Sequence, residues 1–185
     1  MEDARRTEQL GRRLRELFVW RGEEGFADTS AWWSDAAVLA GVGPALAGLH
    51  PDARPTAVMG PEALGFLLGP LVAVEAGTGF IPMRRELREL RESETGDQVL
   101  LRTTPPDYNN RTTEWGVRRR NPRPGQRVLF VDDGVDTMAT ARTARRLVED
   151  SGAAWAGAVA VVDATSGQAR RRLGLHALLR REELW

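Results

Sequence analysis

Val128-Leu129-Phe130-Val131-Asp132-Asp133-Gly134-Val135-Asp136-Thr137-Met138-Ala139-Thr140-Ala141 joins an apolar run to two acids and a helix start. Four consecutive apolar residues predict a short strand covered on both faces, as in a parallel sheet. Two carboxylates follow at its carboxyl end, then a turn of small residues. Thr137 is placed to cap a helix running to about Asp150. In open α/β sheets, ligands bind beyond the carboxyl ends of strands, at a topological switch point. Backbone amides at a helix start, helped by the Thr137 and Thr140 hydroxyls, suit a phosphate. The acids suit sugar hydroxyls, or a magnesium ion held through water. A phosphate cradle beside a diol site describes a pentose phosphate. An ordinary strand-turn-helix unit is the competing reading.

Outward from this segment, strand and helix patterns alternate. Leu10, Leu14, Leu17 and Phe18 fall at helical spacing and predict an amphipathic helix from residue 3 to about 20. Asp28-Thr29-Ser30 and Ser34-Asp35 are cap-like and precede a small-residue helix through about Leu49. Thr56-Ala57-Val58-Met59 reads as the first buried strand, with Pro61 in the first turn of the next helix. Gly79 to Met83, Gly157 to Val162 and His176 to Leu179 read as further strands, and Ser166 to Leu173 as a short helix. Between Arg84 and Arg127 the chain turns polar, with eleven arginines against seven acids, so this stretch carries local positive charge. Within it, Val99-Leu100-Leu101 and Thr112-Thr113-Glu114-Trp115 are expected to pair as a small antiparallel flap. The pattern predicts a parallel α/β sheet in one domain over residues 1–185, with 84–127 as a flexible flap or hood.

Composition narrows the chemistry. Twenty-six basic residues balance twenty-six acids, which gives no reason to expect a nucleic-acid partner. Cysteine is absent, which excludes disulfides and cysteine nucleophiles, and two histidines make a histidine-rich metal centre implausible. Every basic residue is arginine, which grips phosphate in a bidentate way that lysine cannot. The charged start Met1-Glu2-Asp3-Ala4-Arg5-Arg6 has no apolar core, and no apolar run approaches the ~20 residues of a membrane span. A cytoplasmic protein with no membrane association is expected. The six tryptophans, Trp32-Trp33 among them, are expected in the core or on a dimer surface.

The fingerprint segment resembles that by which type I phosphoribosyltransferases hold phosphoribosyl pyrophosphate (PRPP), and the chain from about residue 18 onward is similar to the adenine phosphoribosyltransferase family. Met59 to Pro70 resembles that family's pyrophosphate loop and following helix. Gly79 to Arg85 resembles the strand entering its catalytic flap, and Pro124 to Val128 the turn before the fingerprint. Val161 to Ser166 and His176 to Leu179 resemble its carboxyl-terminal pieces. The resemblance implies the type I phosphoribosyltransferase fold with a small hood. It assigns the ribose hydroxyls of PRPP, with Mg²⁺ nearby through water, to Asp132 and Asp133. Asp136, Thr137, Met138, Ala139 and Thr140 would wrap the 5′-phosphate. Pyrophosphate would meet Glu62, Ala63 and Leu64, with Arg84 and Arg85. Phe26 would stack on the base, and Asp136 or Glu114 would handle its proton.

Two departures bear on turnover. Met138-Ala139 replaces a glycine pair, so both residues would need helical angles and the methionine must point away from phosphate. Leu64 stands where the family often carries arginine, so Arg84 or Arg85 must supply that charge. The expected activity is transfer of 5-phosphoribosyl from PRPP to a purine-like base, adenine first, with release of pyrophosphate, in a homodimer. Asp136, with the departures at Leu64 and Met138-Ala139, keeps hypoxanthine, guanine or a specialised heterocycle open. The rival reading is a PRPP or nucleotide sensor without turnover.

Overall fold

The computed structural model describes residues 2–21, 26–85, 98–106 and 111–184. Helix α1 (Glu2–Leu17) carries acids in its first turn and Arg15 in its last, matching the helix dipole, and buries Leu10 and Leu14. A small antiparallel hairpin follows, β1 (Val19–Arg21) on β2 (Phe26–Asp28). Helix α2 (Ser30–Ser34) sets Trp32 in the core, where its indole N–H donates to the Leu14 carbonyl at 2.8 Å. Asp35 caps α3 (Ala36–Gly48) by accepting the N–H groups of Ala37 and Val38. The Val38 N–H, then the Arg13 guanidinium, hold its carboxyl below the usual range.

Strand β3 (Ala57–Pro61) runs into α4 (Gly65–Glu75) and then β4 (Gly79–Arg85). Pro61 is thus the last strand residue, and not a first helical one. Gly65 is the first, after the three-residue loop Glu62-Ala63-Leu64. Strands β5 (Val99–Thr103) and β6 (Glu114–Arg118) pair antiparallel as expected, but β6 also pairs with β4, so they extend the main sheet. Strand β7 (Arg127–Val135), helix α5 (Ala139–Asp150), β8 (Ala154–Asp163), α6 (Gly167–Leu173) and β9 (Leu175–Arg180) complete the order. The sheet reads β5-β6-β4-β3-β7-β8-β9, with the five strands from β4 to β9 parallel.

Alternation along the strands divides the core. Met59, Val128 and Phe130 face one side, with Ala141, Ala144, Leu147 and Val148 of α5. Val58, Leu129 and Val131 face the other, with Leu14 of α1, Val42 of α3 and Leu68 and Val72 of α4. A sheet covered on both faces is why the apolar run at 128–131 lacks polar alternation. No helix among the described residues is long and apolar enough to cross a membrane.

Candidate active site

From β3 the chain steps to β4 on one side, while β7 lies on the other side of β3 and leads away through β8 and β9. The strand order therefore reverses between β3 and β7, where α/β sheets open a crevice at their carboxyl ends. Two loops meet at that crevice. One is Glu62-Ala63-Leu64, after β3; the other is Asp136-Thr137-Met138, after β7.

The first loop is fixed by a backbone crossing. A β-carbon on Gly60 would lie 2.5 Å from the Gly65 carbonyl oxygen, and one on Gly65 would collide with the Pro61 ring. Only glycines permit that approach. The Glu62–Ala63 peptide is cis. Glu62 Oε1 accepts the Arg85 backbone N–H at 2.7 Å and lies 3.4 Å from Arg85 Nε, while Oε2 lies 3.8 Å from Arg84 Nε. The Arg85 guanidinium also sits 5.4 Å over the Trp115 ring. Arg84 and Arg85 thus stand beside the loop that lacks a cation at Leu64. Glu114 is one residue beyond the Arg85–Trp115 pair, at the same end of the sheet.

In the second loop Met138 adopts φ 61°, the left-handed region, and precedes Ala139 in the first turn of α5. This corrects the expectation of helical angles at both positions. The methionine nevertheless points away from the crevice, packing on the core beneath α5. Nor does Thr137 serve as N-cap. Met138 holds that place, and Thr137 Oγ1 accepts the Ala139 N–H at a long 3.4 Å. The first intrahelical bond runs from Arg142 N–H to Met138, so the amides at the start of α5 have no helical acceptor. A left-handed residue before a helix start makes a concave set of N–H donors for an anion.

Asp132 and Asp133 both lie within β7, which continues to Val135; the strand does not end at Asp132. Successive strand side chains normally diverge. Here the Asp132 carboxylate turns along the chain to accept the Asp133 N–H at 3.0 Å, which brings the two carboxyls together. Burial, then the neighbouring Asp133 charge, push Asp132 well above the usual carboxylate range. Asp136 and Thr137 are exposed at the loop.

A cleft of about 470 Å³ opens beside these acids, with Asp133, Gly134 and Asp136 along one edge. Phe18, Trp20 and Trp32 supply apolar wall, and Arg181, just after β9, also lines it. Asp132 does not line this cleft. The Phe26 side chain, expected to stack on a base, lies outside the described residues, as do 86–97 and 107–110 of the flap segment. Trp20, Thr29 and Arg181 were not legible as site residues, because the cleft gathers segments far apart in the chain. The helix-then-aromatic pattern at Phe18-Val19-Trp20 is the one sequence signal that points there.

No family model matches the chain. Among curated proteins it is similar to the adenine phosphoribosyltransferase of Dinoroseobacter shibae, 34% identical over 132 residues and covering 69% of each chain. It is likewise 34% identical over 122 residues to the adenine phosphoribosyltransferase of Desulfitobacterium hafniense. There the chain spans 66% of that relative's length, just under two thirds. In fold it is similar to the adenine phosphoribosyltransferase of Trypanosoma brucei solved with AMP, pyrophosphate and ribose-5-phosphate. The TM-score is 0.78 at 17% identity, covering 95% of this chain and 81% of that one.

Proposed function

Because the chain belongs to the adenine phosphoribosyltransferase family, within the type I phosphoribosyltransferases, we propose that it transfers 5-phosphoribosyl from PRPP to a purine-like base, adenine first. The observation that carries this reading is the pair of loops at the β3/β7 reversal, flanked by an aromatic cleft with acids on its edge. Residues 1–185 are taken as one phosphoribosyltransferase domain, with 84–127 as its hood, acting in the cytoplasm as a homodimer.

In the proposed reaction the amides of residues 136–140 hold the 5′-phosphate, and Asp132 and Asp133 hold the ribose hydroxyls. Pyrophosphate lies along Ala63 and Leu64, where Arg84 and Arg85 balance its charge. A ring nitrogen of the base attacks the anomeric carbon as the carbon–oxygen bond to pyrophosphate breaks. Asp136, on the cleft edge, takes the proton that leaves the base, with Glu114 as the alternative acceptor. The apolar wall excludes water that would otherwise hydrolyse PRPP.

The donor set also suits Mg²⁺. Two adjoining carboxyls, one driven toward its neutral form, gain from a hard cation. Among the described residues no group of three or more metal-type side chains converges, which fits an ion held by one or two carboxylates together with substrate oxygens. When bound at Asp132 and Asp133, the ion would neutralise charge on the departing pyrophosphate.

One contact favours a second reading. Glu62 already engages both arginines beside a loop that carries Leu64 and no cation of its own, which leaves less charge to stabilise a departing pyrophosphate and favours a sensor without turnover. Mixing the protein with PRPP, Mg²⁺ and a panel of adenine, hypoxanthine and guanine, and following pyrophosphate, separates the two. Release with adenine supports the transferase; PRPP binding without release from any base supports the sensor.

A further inference from the structure

On the outer side of α5, away from the crevice, Arg142, Arg145, Arg146 and Arg172 line a hollow of about 260 Å³ with Met138 and Leu173. The three α5 arginines fall at positions i, i+3 and i+4, beside the buried Ala141, Ala144 and Val148. Arg172 comes from the end of α6. Glu149 is the one acid that lines the hollow, and it is taken up by Arg145 at 2.7 Å. Arg145 also donates to the Arg172 carbonyl at 3.0 Å, which ties the two helices together and sets the spacing of the remaining cations. Among the described residues, no carboxylate lies within ion-pair distance of Arg142, Arg146 or Arg172.

Arginine-rich helices elsewhere in this chain are arranged differently. On α1, four of the five arginines, Arg6, Arg12, Arg13 and Arg15, each meet a carboxylate, from Glu2, Glu8, Glu16 and Glu183, with Arg5 the exception. On α5 the Arg142 and Arg146 pair at i, i+4 repels, and Arg172 adds to that repulsion. Several guanidiniums held around a concave surface bind phosphate groups in bidentate fashion. A volume below the ~300 Å³ lower end of drug-sized pockets admits a phosphate chain and leaves a nucleoside outside.

We infer that the α5–α6 hollow is a second anion site, which takes a polyphosphate chain on Arg142, Arg146 and Arg172. Its cations are distinct from the residues assigned to the crevice, with Met138 bordering both, and its existence does not depend on the proposed transferase activity. Free polyphosphate and a nucleoside triphosphate present the same chemistry, so both serve as probes.

The test is a titration of the ¹⁵N-labelled protein with inorganic tripolyphosphate, read at the arginine Nε–H and backbone resonances of 142–146 and 172. Saturable shifts at Arg142, Arg146 and Arg172 are expected, with affinity at least about tenfold weaker in Arg142→Gln/Arg146→Gln. Both side chains are exposed, and Arg172→Gln gives an independent variant should the double change disturb α5. Adenosine triphosphate binding tenfold tighter than tripolyphosphate would identify a nucleotide as the source; equal affinity would identify free polyphosphate. Absence of shifts at these arginines, shifts unchanged in both variants, or binding of a single-stranded oligonucleotide but not tripolyphosphate would each overturn the inference. Because the readout is resolved by residue, anions entering the crevice register at the amides of 136–140, outside the residues scored for this site, and PRPP turnover is scored in its own assay.

Discussion

Glu62 clasps Arg85 twice, its Oε1 taking the backbone N–H at 2.7 Å and standing 3.4 Å from the guanidinium Nε. The carboxylate therefore holds both chain and side chain of β4 against the loop that follows β3. An incoming pyrophosphate would compete with Glu62 for the same cations.

That competition makes the arginines the first test. Arg84→Gln/Arg85→Gln should weaken PRPP by about tenfold or more, since charged hydrogen bonds contribute roughly 1.5–3 kcal/mol. Ribose 5-phosphate, which lacks pyrophosphate, should change by no more than about twofold. Adding Leu64→Arg should recover part of the PRPP loss. Calorimetry with both ligands checks this, and equal weakening of the two would exclude the assignment.

Proton handling falls to Asp136. Asp136→Ala should lower kcat by ~10²-fold or more while leaving PRPP affinity within a few-fold. Equal losses in both would reduce it to an acid at a helix start, favoured there by the dipole.

The paired carboxyls give a signature in stability. Asp132 is raised in the folded state, so the native protein binds more protons than the unfolded chain above the ordinary carboxylate range. Its contribution is fully present at low pH and is lost as pH rises through the folded pKa. Asp132→Asn cannot ionise. Without ligand, its melting temperature should exceed that of the wild type by a margin that widens with pH, while PRPP binding fails. A margin constant with pH would show that the pair does not share a proton.

At Met138 the backbone and the side chain pull in opposite directions. Glycine would relieve a left-handed residue that costs on the order of 1–2 kcal/mol, but it forfeits packing on the core. Met138→Gly should therefore fall within about 1 kcal/mol of the wild type. Met138→Val, whose β-branch tolerates positive φ least, should lose ~2 kcal/mol or more and weaken phosphate binding. Chemical denaturation orders the three.

His50 and His176 stack at 4.5 Å between ring centroids, beside Gly157 at φ 111°. Burial, then the neighbouring His50, lower the His176 pKa. The native state then binds fewer protons than the unfolded chain, so this contribution is present above pH 6.5 and lost as pH falls below it. Melting temperatures from pH 8 to pH 5 should drop less steeply for His176→Gln than for the wild type.

Local patterns carried most of the fold. The apolar run at 128–131 was legible because a strand covered on both faces needs no alternation, and α3 because Asp35 caps it. The nearness of Arg84 and Arg85 to the 62–64 loop was expected from chain position and the resemblance, and the parallel pairing of β3 with β4 accounts for it. Left unread were features set by tertiary contact. Strand β7 runs on to Val135 because Asp132, Gly134 and Val135 find partners on β8. Asp132 and Asp133 meet through a side-chain turn that a simple alternation rule excludes. Arg181 reaches the cleft through the path of β9, which no local spacing announces.

The sheet also works as a partition between two foundations. The loop after β3 rests on α4, rooted in Leu68 and Val72 on one side. The loop after β7 rests on α5, rooted in Ala144 and Leu147 on the other. A substitution that loosens one footing need not disturb the other. The grip on one end of a two-ended ligand can then drift, tighten or be abandoned while the grip on the far end stays as it was. A chain built this way can keep its hold on a sugar phosphate through large changes in what it does with the rest of the molecule.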